Sequence, residues 1–261
     1  MTRFRELVDV VARLRGPGGC PWDREQTHES LRACLLEECY ETLDAIDRGD
    51  PQGIREELGD VLLQIVFQAQ VAAEAGQFTV EDVIAGVIDK MIRRHPHVFG
   101  DATVTGSAEV VRNWSRIKAA ERAGRGAADP SVLSGLPPAL PALHAAARMG
   151  EKAARVGFDW SSPAEALAKV REELVELEEA VAGGEASRVE HELGDVLFAL
   201  ASVARLAEHS PEMALRRALA RFERRFRTME DAVRRAGRDM HDLTAAELDA
   251  LWNDAKRDES A

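Results

Sequence analysis

Apolar residues recur at helical spacing along most of the chain. Residues 3–15, "RFRELVDVVARLR", alternate apolar and charged positions as an amphipathic helix does. Residues 29–48 predict a second helix, with Leu35, Leu36, Cys39, Leu43 and Ile46 on one side and "RGDP" closing it. Residues 53–75 predict a third. From Glu57 onward, Leu58, Val61, Leu62, Leu63, Ile65, Val66 and Phe67 cover almost the whole circumference, leaving one narrow polar stripe of Glu57, Asp60, Gln64 and Gln68. A helix apolar nearly all round is an interior helix, so this stretch is expected to be buried. Gly59 in its first half lowers helix propensity by roughly 1 kcal/mol relative to Ala, and the expectation is close approach of a neighbour there. "TVEDVIAGVIDKMIRRH" opens on Thr79 as N-cap, carries Glu81 and Asp82 in its first turn, and is followed by Pro96. Alternating β-branched runs are absent, so the pattern predicts an all-α architecture of antiparallel helices.

The same pattern occurs twice. "EECYETLDAI" with "EELGDVLLQIVFQAQVAAE" returns as "EELVELEEAV" with "HELGDVLFALASVARLAE". Glu38 and Glu173, Glu57 and Glu192, and Asp60 and Asp195 are each 135 residues apart. Trp22 answers Trp160, and Trp114 answers Trp252, both at 138. "IRRHPHVF" is matched by "ERRFRTM", and Gly194 repeats Gly59. Several correspondences in one order at nearly one offset indicate duplication. Between the copies, "AGRGAADPSVLSGLPPALPALH" has the Gly, Pro and Ala content of a linker. The expected organisation is a helical domain over 1–122, a linker over 123–141 and a second helical domain over 142–261.

Composition narrows the function. The 261 residues are 45% hydrophobic and 31% charged, enough for a core and a solvated surface, and only 5% aromatic. No stretch approaches the roughly 20 apolar residues of a membrane span, and the charged N-terminus lacks a signal-peptide core. Cys20, Cys34 and Cys39 are an odd number without metal-type spacing, which reads as reduced thiols in the cytoplasm. A formal net charge of -12 argues against a duplex nucleic-acid surface. It leaves room for a small anion, because a bound divalent cation reverses the local field.

That cation has an expected place. Glu38 and Glu41 lie three residues apart, opposite the apolar side of their helix, and are neighbours on its surface. Glu57 and Asp60 sit on the single polar stripe of a helix predicted to be buried, where unpaired carboxylates are very costly and need cations. Two facing helices then present Glu38, Glu41, Glu57 and Asp60 in the first copy and Glu173, Glu176, Glu192 and Asp195 in the second. All-oxygen clusters suit Mg²⁺, with Mn²⁺ as a substitute. No paired Cys accompanies them, which disfavours zinc. Lys90, Arg93 and Arg94 follow in the first copy and Arg217, Arg221, Arg224 and Arg225 in the second, placed to clamp phosphates. His95 and His97 bracket Pro96 at a helix end, a structural position. P-loop, nucleophile-elbow and HExxH motifs are absent.

At these residues the chain resembles the MazG family of nucleoside triphosphate pyrophosphohydrolases. EExxE…ExxD is that family's signature, and "GCPWDREQTHESL", "RRHPHVF", "VGFDW" and "FERRF" match its two-domain bacterial members in order. The resemblance implies tandem all-α pyrophosphohydrolase bundles and Mg²⁺-dependent cleavage of nucleoside triphosphates to monophosphate and pyrophosphate. It also implies a homodimer, and a second copy that carries the main activity. Glu173, Glu176, Glu192 and Asp195 would be metal ligands; Lys169, Arg188, Arg217 and Arg221 would contact phosphates; Trp252 would lie against the nucleotide. Apart from the resemblance, Glu172 or Glu37, the first carboxylate of each pair and not fully occupied by metal, is the candidate to orient the attacking water. "RALAR" departs from the family's Lys-x-Asn-x-Lys, and Ala199 and Val203 stand where Gln64 and Gln68 stand, so both copies remain candidates for the active one. The competing readings are a non-catalytic helical regulator that binds nucleotide or protein, and a narrower dUTPase-like enzyme of the same fold.

Overall fold

A computed structural model describes residues 2–124 and 131–258, and every regular element among them is helical. The chain divides into two compact units, Met1–Gly126 and Ala127–Ala261. The first contains α1 (Thr2–Arg15), α2 (Pro21–Glu25), α3 (Leu31–Arg48), α4 (Pro51–Glu74), α5 (Val80–Arg94), α6 (Pro96–Phe99) and α7 (Ser107–Gly124). The second contains α8 (Ala142–Ala154), α9 (Pro163–Gly183), α10 (Ala186–Leu206), α11 (Pro211–Arg235) and α12 (Ala245–Asp258). The linker expected over 123–141 falls partly on residues 125–130, which lie outside the described residues. Residues 131–141 belong to the second unit, where the buried Lys152 ammonium donates to the carbonyls of Leu133 and Ser134.

Each unit is built around one tight helical hairpin. In the first, Gly49 ends α3 with φ 64°, its N–H donating to the carbonyl of Ile46. Asp50 then caps α4, its carboxylate accepting from the Gln52 N–H, with Pro51 at the first helical position. So short a connection forces α3 and α4 to lie antiparallel and in contact. Gly184, at φ 72°, makes the same turn between α9 and α10. The opening of α5 is fixed by a capping box: Thr79 Oγ1 accepts from the Asp82 N–H, and the Asp82 carboxylate accepts from the Thr79 N–H.

The core of the first unit is Val11, Leu31, Val66 and Phe67, with Phe4, Leu7, Val8, Leu63, Val71 and Val80 packed against it. α1 is locked to the far end of α4 by Arg15, which makes a two-pronged ion pair with Glu74 at 2.9 and 2.8 Å. Its guanidinium also lies over the Phe67 ring, 5.5 Å from the centroid. In the second unit Arg205 of α10 pairs with Asp159 and carries the corresponding tie.

Two expectations need correction. α4 is not buried all round within a single chain. Val66, Phe67, Ala69 and Ala72 are buried, but Leu58, Leu62 and Ile65 are 52%, 38% and 43% exposed and form one continuous stripe. α10 repeats this with Leu193, Leu197 and Leu200. The reason lies in the supply of neighbours: α1 and the start of α5 cover the C-terminal half of α4, while its N-terminal half has α3 alone. Nor, among the described residues, does anything approach Gly59 or Gly194: a Cβ built on either meets nothing within 4 Å.

Leu31 joins α3 to the core at 2% exposure. Leu31→Ala is expected to destabilise the first unit by about 2–5 kcal/mol, read by chemical denaturation followed by helical circular dichroism.

Candidate metal and nucleotide site

The antiparallel hairpins bring the predicted carboxylates together in both copies. In the first, oxygens of Glu38 and Glu41 on α3 and Glu57 on α4 all lie within 4.8 Å of one another. In the second, the group that meets this distance is Glu173 on α9 with Glu192 and Asp195 on α10. The remaining member of each set stays close enough to be felt. Asp60 acts on Glu38 and Glu57, and Glu176 is acted on by Glu173 and Glu192.

Crowding of like charge shows in proton affinity. Loss of hydration raises Glu38 above the ordinary carboxylate range, and Asp60, Glu41, Glu57 and Glu37 push it further. Glu57 is raised in the same way, with Glu41 and Asp60 adding to desolvation and Arg48 opposing. In the second copy Glu176 is raised by desolvation and then by Glu173 and Glu192, with Lys169 opposing. Carboxylates crowded and desolvated in this way gain from a nearby positive charge.

The basic residues fall into two groups. Lys169, one turn before the α9 carboxylates, donates to Glu172 at 2.6 Å and lies 2.7 Å from Glu173. These bonds hold its ammonium well above the usual lysine range. Arg188 lies 3.6 Å from Glu192 and 3.4 Å from Glu179. Arg217 and Arg221 line a cleft of about 540 Å³ with Glu208, His209, Ser210, Met213 and Ala214. Trp252 packs on Phe222 of α11 at 5.1 Å and is flanked by Arg225 and Lys256 at 5.9 and 5.6 Å. In the first copy Lys90 is half-buried on α5. Arg93 and Arg94 instead converge on Glu121 of α7, which their hydrogen bonds hold at about 2. Arg94 also lies over Trp114, 5.2 Å from its centroid. His95 Nδ1 sits 2.7 Å from the Met91 carbonyl, one turn back on its own helix. Glu172 and Glu37 are exposed on the outer edge of their clusters.

Sequence reasoning overlooked three features. His191 sits 3.4 Å from Asp195, and the signal was in "HELGD", where the two are one helical turn apart. Gln64, on the polar stripe of α4, is buried, and among the described residues its Oε1 has no hydrogen-bond partner. Gln68 bonds to the His28 ring, a contact across 40 residues that no local pattern announces.

Tandem helical units each set carboxylates of two facing helices together, with a lysine and an arginine beside those of the second copy, an arrangement that suits an enzyme acting on phosphates. The MazG nucleotide pyrophosphohydrolase domain matches residues 26–99 and again 161–233. The chain is 45% identical to the nucleoside triphosphate pyrophosphohydrolase/pyrophosphatase MazG of Thermotoga maritima, over 97% of this chain and 95% of that protein. It is 42% identical to the nucleoside triphosphate pyrophosphohydrolase of Escherichia coli K12, over 99% of each. Similarity also extends to the uncharacterized protein YabN of Bacillus subtilis, 44% identical over 98% of this chain and 52% of YabN. The chain belongs to the MazG nucleotide pyrophosphohydrolase family, and the duplication read from its sequence is two copies of that family's domain.

The raised carboxylates set a sign for stability. Their folded pKa values lie above the unfolded ones, so the folded state binds more protons and stability declines as pH rises through that range. In chelator, Glu57→Gln is expected to raise the thermal midpoint at neutral pH. The gain should vanish below about pH 4, where unfolded carboxylates are also protonated. Melting curves across this range check it.

Proposed function

We propose that the protein hydrolyses nucleoside triphosphates, ribo or deoxy and including non-standard bases, to nucleoside monophosphate and pyrophosphate in a Mg²⁺-dependent reaction. The observation that carries this is the convergence of carboxylates from two facing helices within 4.8 Å, made twice by one duplicated sequence. Glu173, Glu176, Glu192 and Asp195, and Glu38, Glu41, Glu57 and Asp60 in the first copy, are the residues that would hold the cation. Bound there, Mg²⁺ or Mn²⁺ neutralises charge on the triphosphate and on the departing pyrophosphate. Lys169, Arg188, Arg217 and Arg221 bind phosphate oxygens and hold the chain of phosphates in line. Glu172 orients a water and takes its proton as the oxygen attacks the α-phosphorus. The bond from that phosphorus to the α,β-bridging oxygen breaks, and pyrophosphate leaves. Trp252, with its flanking cations, offers a stacking face for the base. The role that fits is clearance of surplus or damaged nucleotides in the cytoplasm. No helix among the described residues is long and apolar enough to cross a membrane.

One observation favours the second copy as the hydrolytic centre. Arg93 and Arg94 of the first copy are committed to Glu121, which leaves Lys90 as the remaining cation of that predicted group. On this reading the first copy is a binding module that supports or regulates the second. The decisive assay compares Mg²⁺-dependent pyrophosphate release by Glu57→Gln and Glu192→Gln. Glu192→Gln is expected to lower turnover at least about 100-fold, the scale of losing one group that stabilises the transition state, and Glu57→Gln far less. Orthophosphate as the sole product, or full activity in both variants, would overturn the proposal.

We further propose a homodimer formed through the stripes of Leu58, Leu62 and Ile65 and of Leu193, Leu197 and Leu200, each an apolar surface uncovered in its unit. Leu62→Glu combined with Leu197→Glu is expected to yield monomers in light scattering coupled to size exclusion. An unchanged mass would exclude these faces.

A further inference from the structure

The two carboxylate clusters differ in what neutralises them. In the second copy two of the four candidate ligands already face a cation, Glu173 with Lys169 at 2.7 Å and Glu192 with Arg188 at 3.6 Å, and the His191 ring lies 3.4 Å from Asp195. Going back 135 residues, Lys169 becomes Cys34, Arg188 becomes Gly53 and His191 becomes Glu56. Among the described residues, no basic group lies within ion-pair distance of Glu38, Glu41, Glu57 or Asp60. Arg48, which acts on Glu57 from a distance, is bonded to Asp44. The same fold therefore holds one cluster with built-in counter-ions and one without.

Burial says which partner can move. The Glu173 and Glu192 side chains are each 9% exposed and fixed between α9 and α10. Lys169 and Arg188 are 38% and 43% exposed, on long stems that can swing into solvent. A divalent cation entering the second cluster meets an ammonium and a guanidinium already at the carboxylates. Displacing them costs their ion pairs unless an anion waits to receive them, and phosphate oxygens are such an anion. A cation entering the first cluster meets only repelling carboxylates, which it relieves at once.

We propose that the two copies take up divalent cations by different rules: the first binds the free cation, and the second binds it only together with a polyphosphate that draws Lys169 and Arg188 away from Glu173 and Glu192. The inference rests on the reading of these carboxylates as metal ligands. It makes the second copy selective for the cation–nucleotide complex and keeps Lys169 and Arg188 parked at the site between turnovers. It also makes the first copy a standing cation site.

Equilibrium dialysis of the full chain with Mn²⁺, with and without the uncleavable analogue α,β-methylene-ATP, tests this. Without the analogue, Mn²⁺ retention is expected to be lost in Glu57→Gln and kept in Glu192→Gln. With the analogue, extra Mn²⁺ is retained, and Glu192→Gln abolishes it. Lys169→Gln, at a half-exposed position that does not threaten the fold, should raise analogue-independent Mn²⁺ affinity of the second copy about tenfold, the effect of roughly 1.4 kcal/mol. It should also weaken retention of the analogue. If Glu192→Gln removes as much analogue-independent Mn²⁺ as Glu57→Gln does, or Lys169→Gln changes neither affinity, the two-rule inference is wrong while the metal reading stands. If neither variant alters Mn²⁺ retention under either condition, the metal reading itself falls.

Discussion

Mutual repulsion of carboxylates confined between two helices is the constraint around which each unit is organised. Loss of hydration and then repulsion by neighbouring carboxylates act on Glu38 and Glu57, which would move apart if α3 and α4 were free to do so. They stay together because the hairpin leaves no slack. Gly49 turns the chain in the left-handed region, Asp50 and Pro51 start the next helix at once, and the core around Leu31, Val66 and Phe67 fixes the two axes. Arg15, spanning from α1 to Glu74, braces the far end of the same helix. The rest of the fold can be read as the support needed to hold a set of like charges in place.

The second copy meets the same constraint with a different set of neighbours. Its turn is the same, with Gly184 in the place of Gly49, and its brace is again an arginine–carboxylate pair, Arg205 with Asp159. Its charges, however, are partly balanced from within by Lys169 and Arg188. Away from the carboxylates the duplication is kept in another form: Trp114 and Trp252, 138 residues apart, each lie beside an arginine of the preceding long helix and a lysine four residues on. What has diverged is the electrostatic setting of the clusters, and what has been retained is the framework that builds them.

Helices, hairpins and carboxylate stripes are legible in the sequence because each rests on local periodicity. The polar stripe of α4 is visible from residue types alone, and its repetition 135 residues later removes chance as an explanation. Capping at Thr79 is legible for the same reason, since Asp82 is three residues away. Burial of Leu58, Leu62 and Ile65 was a wrong inference from a sound pattern: an apolar face shows that cover is needed, but not that the same chain provides it. Engagement of Arg93 and Arg94 by Glu121 was also out of reach. It joins residues about 27 apart, and nothing in a run of arginines distinguishes phosphate clamps from braces to a later helix. The partnerless Oε1 of Gln64 depends on side-chain placement that periodicity does not contain.

The carboxylate stripe and the open apolar stripe share α4, and again α10, and this couples assembly to chemistry. Glu57 and Leu58 are adjacent in sequence, as are Glu192 and Leu193, so a partner seated on the leucines would lie about 100° round the helix from the carboxylates and would thin the water on that side of them. Lower local polarity strengthens every charge interaction in the site, both the repulsion among carboxylates and the attraction of a cation. Covering the leucines would therefore make the bare cluster less tolerable. In the second copy the same change tightens Lys169 and Arg188 onto Glu173 and Glu192 for as long as no phosphate competes for them. Cover over the apolar stripe and charge within the polar one are thus two settings of a single helix, and neither can be altered without shifting the other.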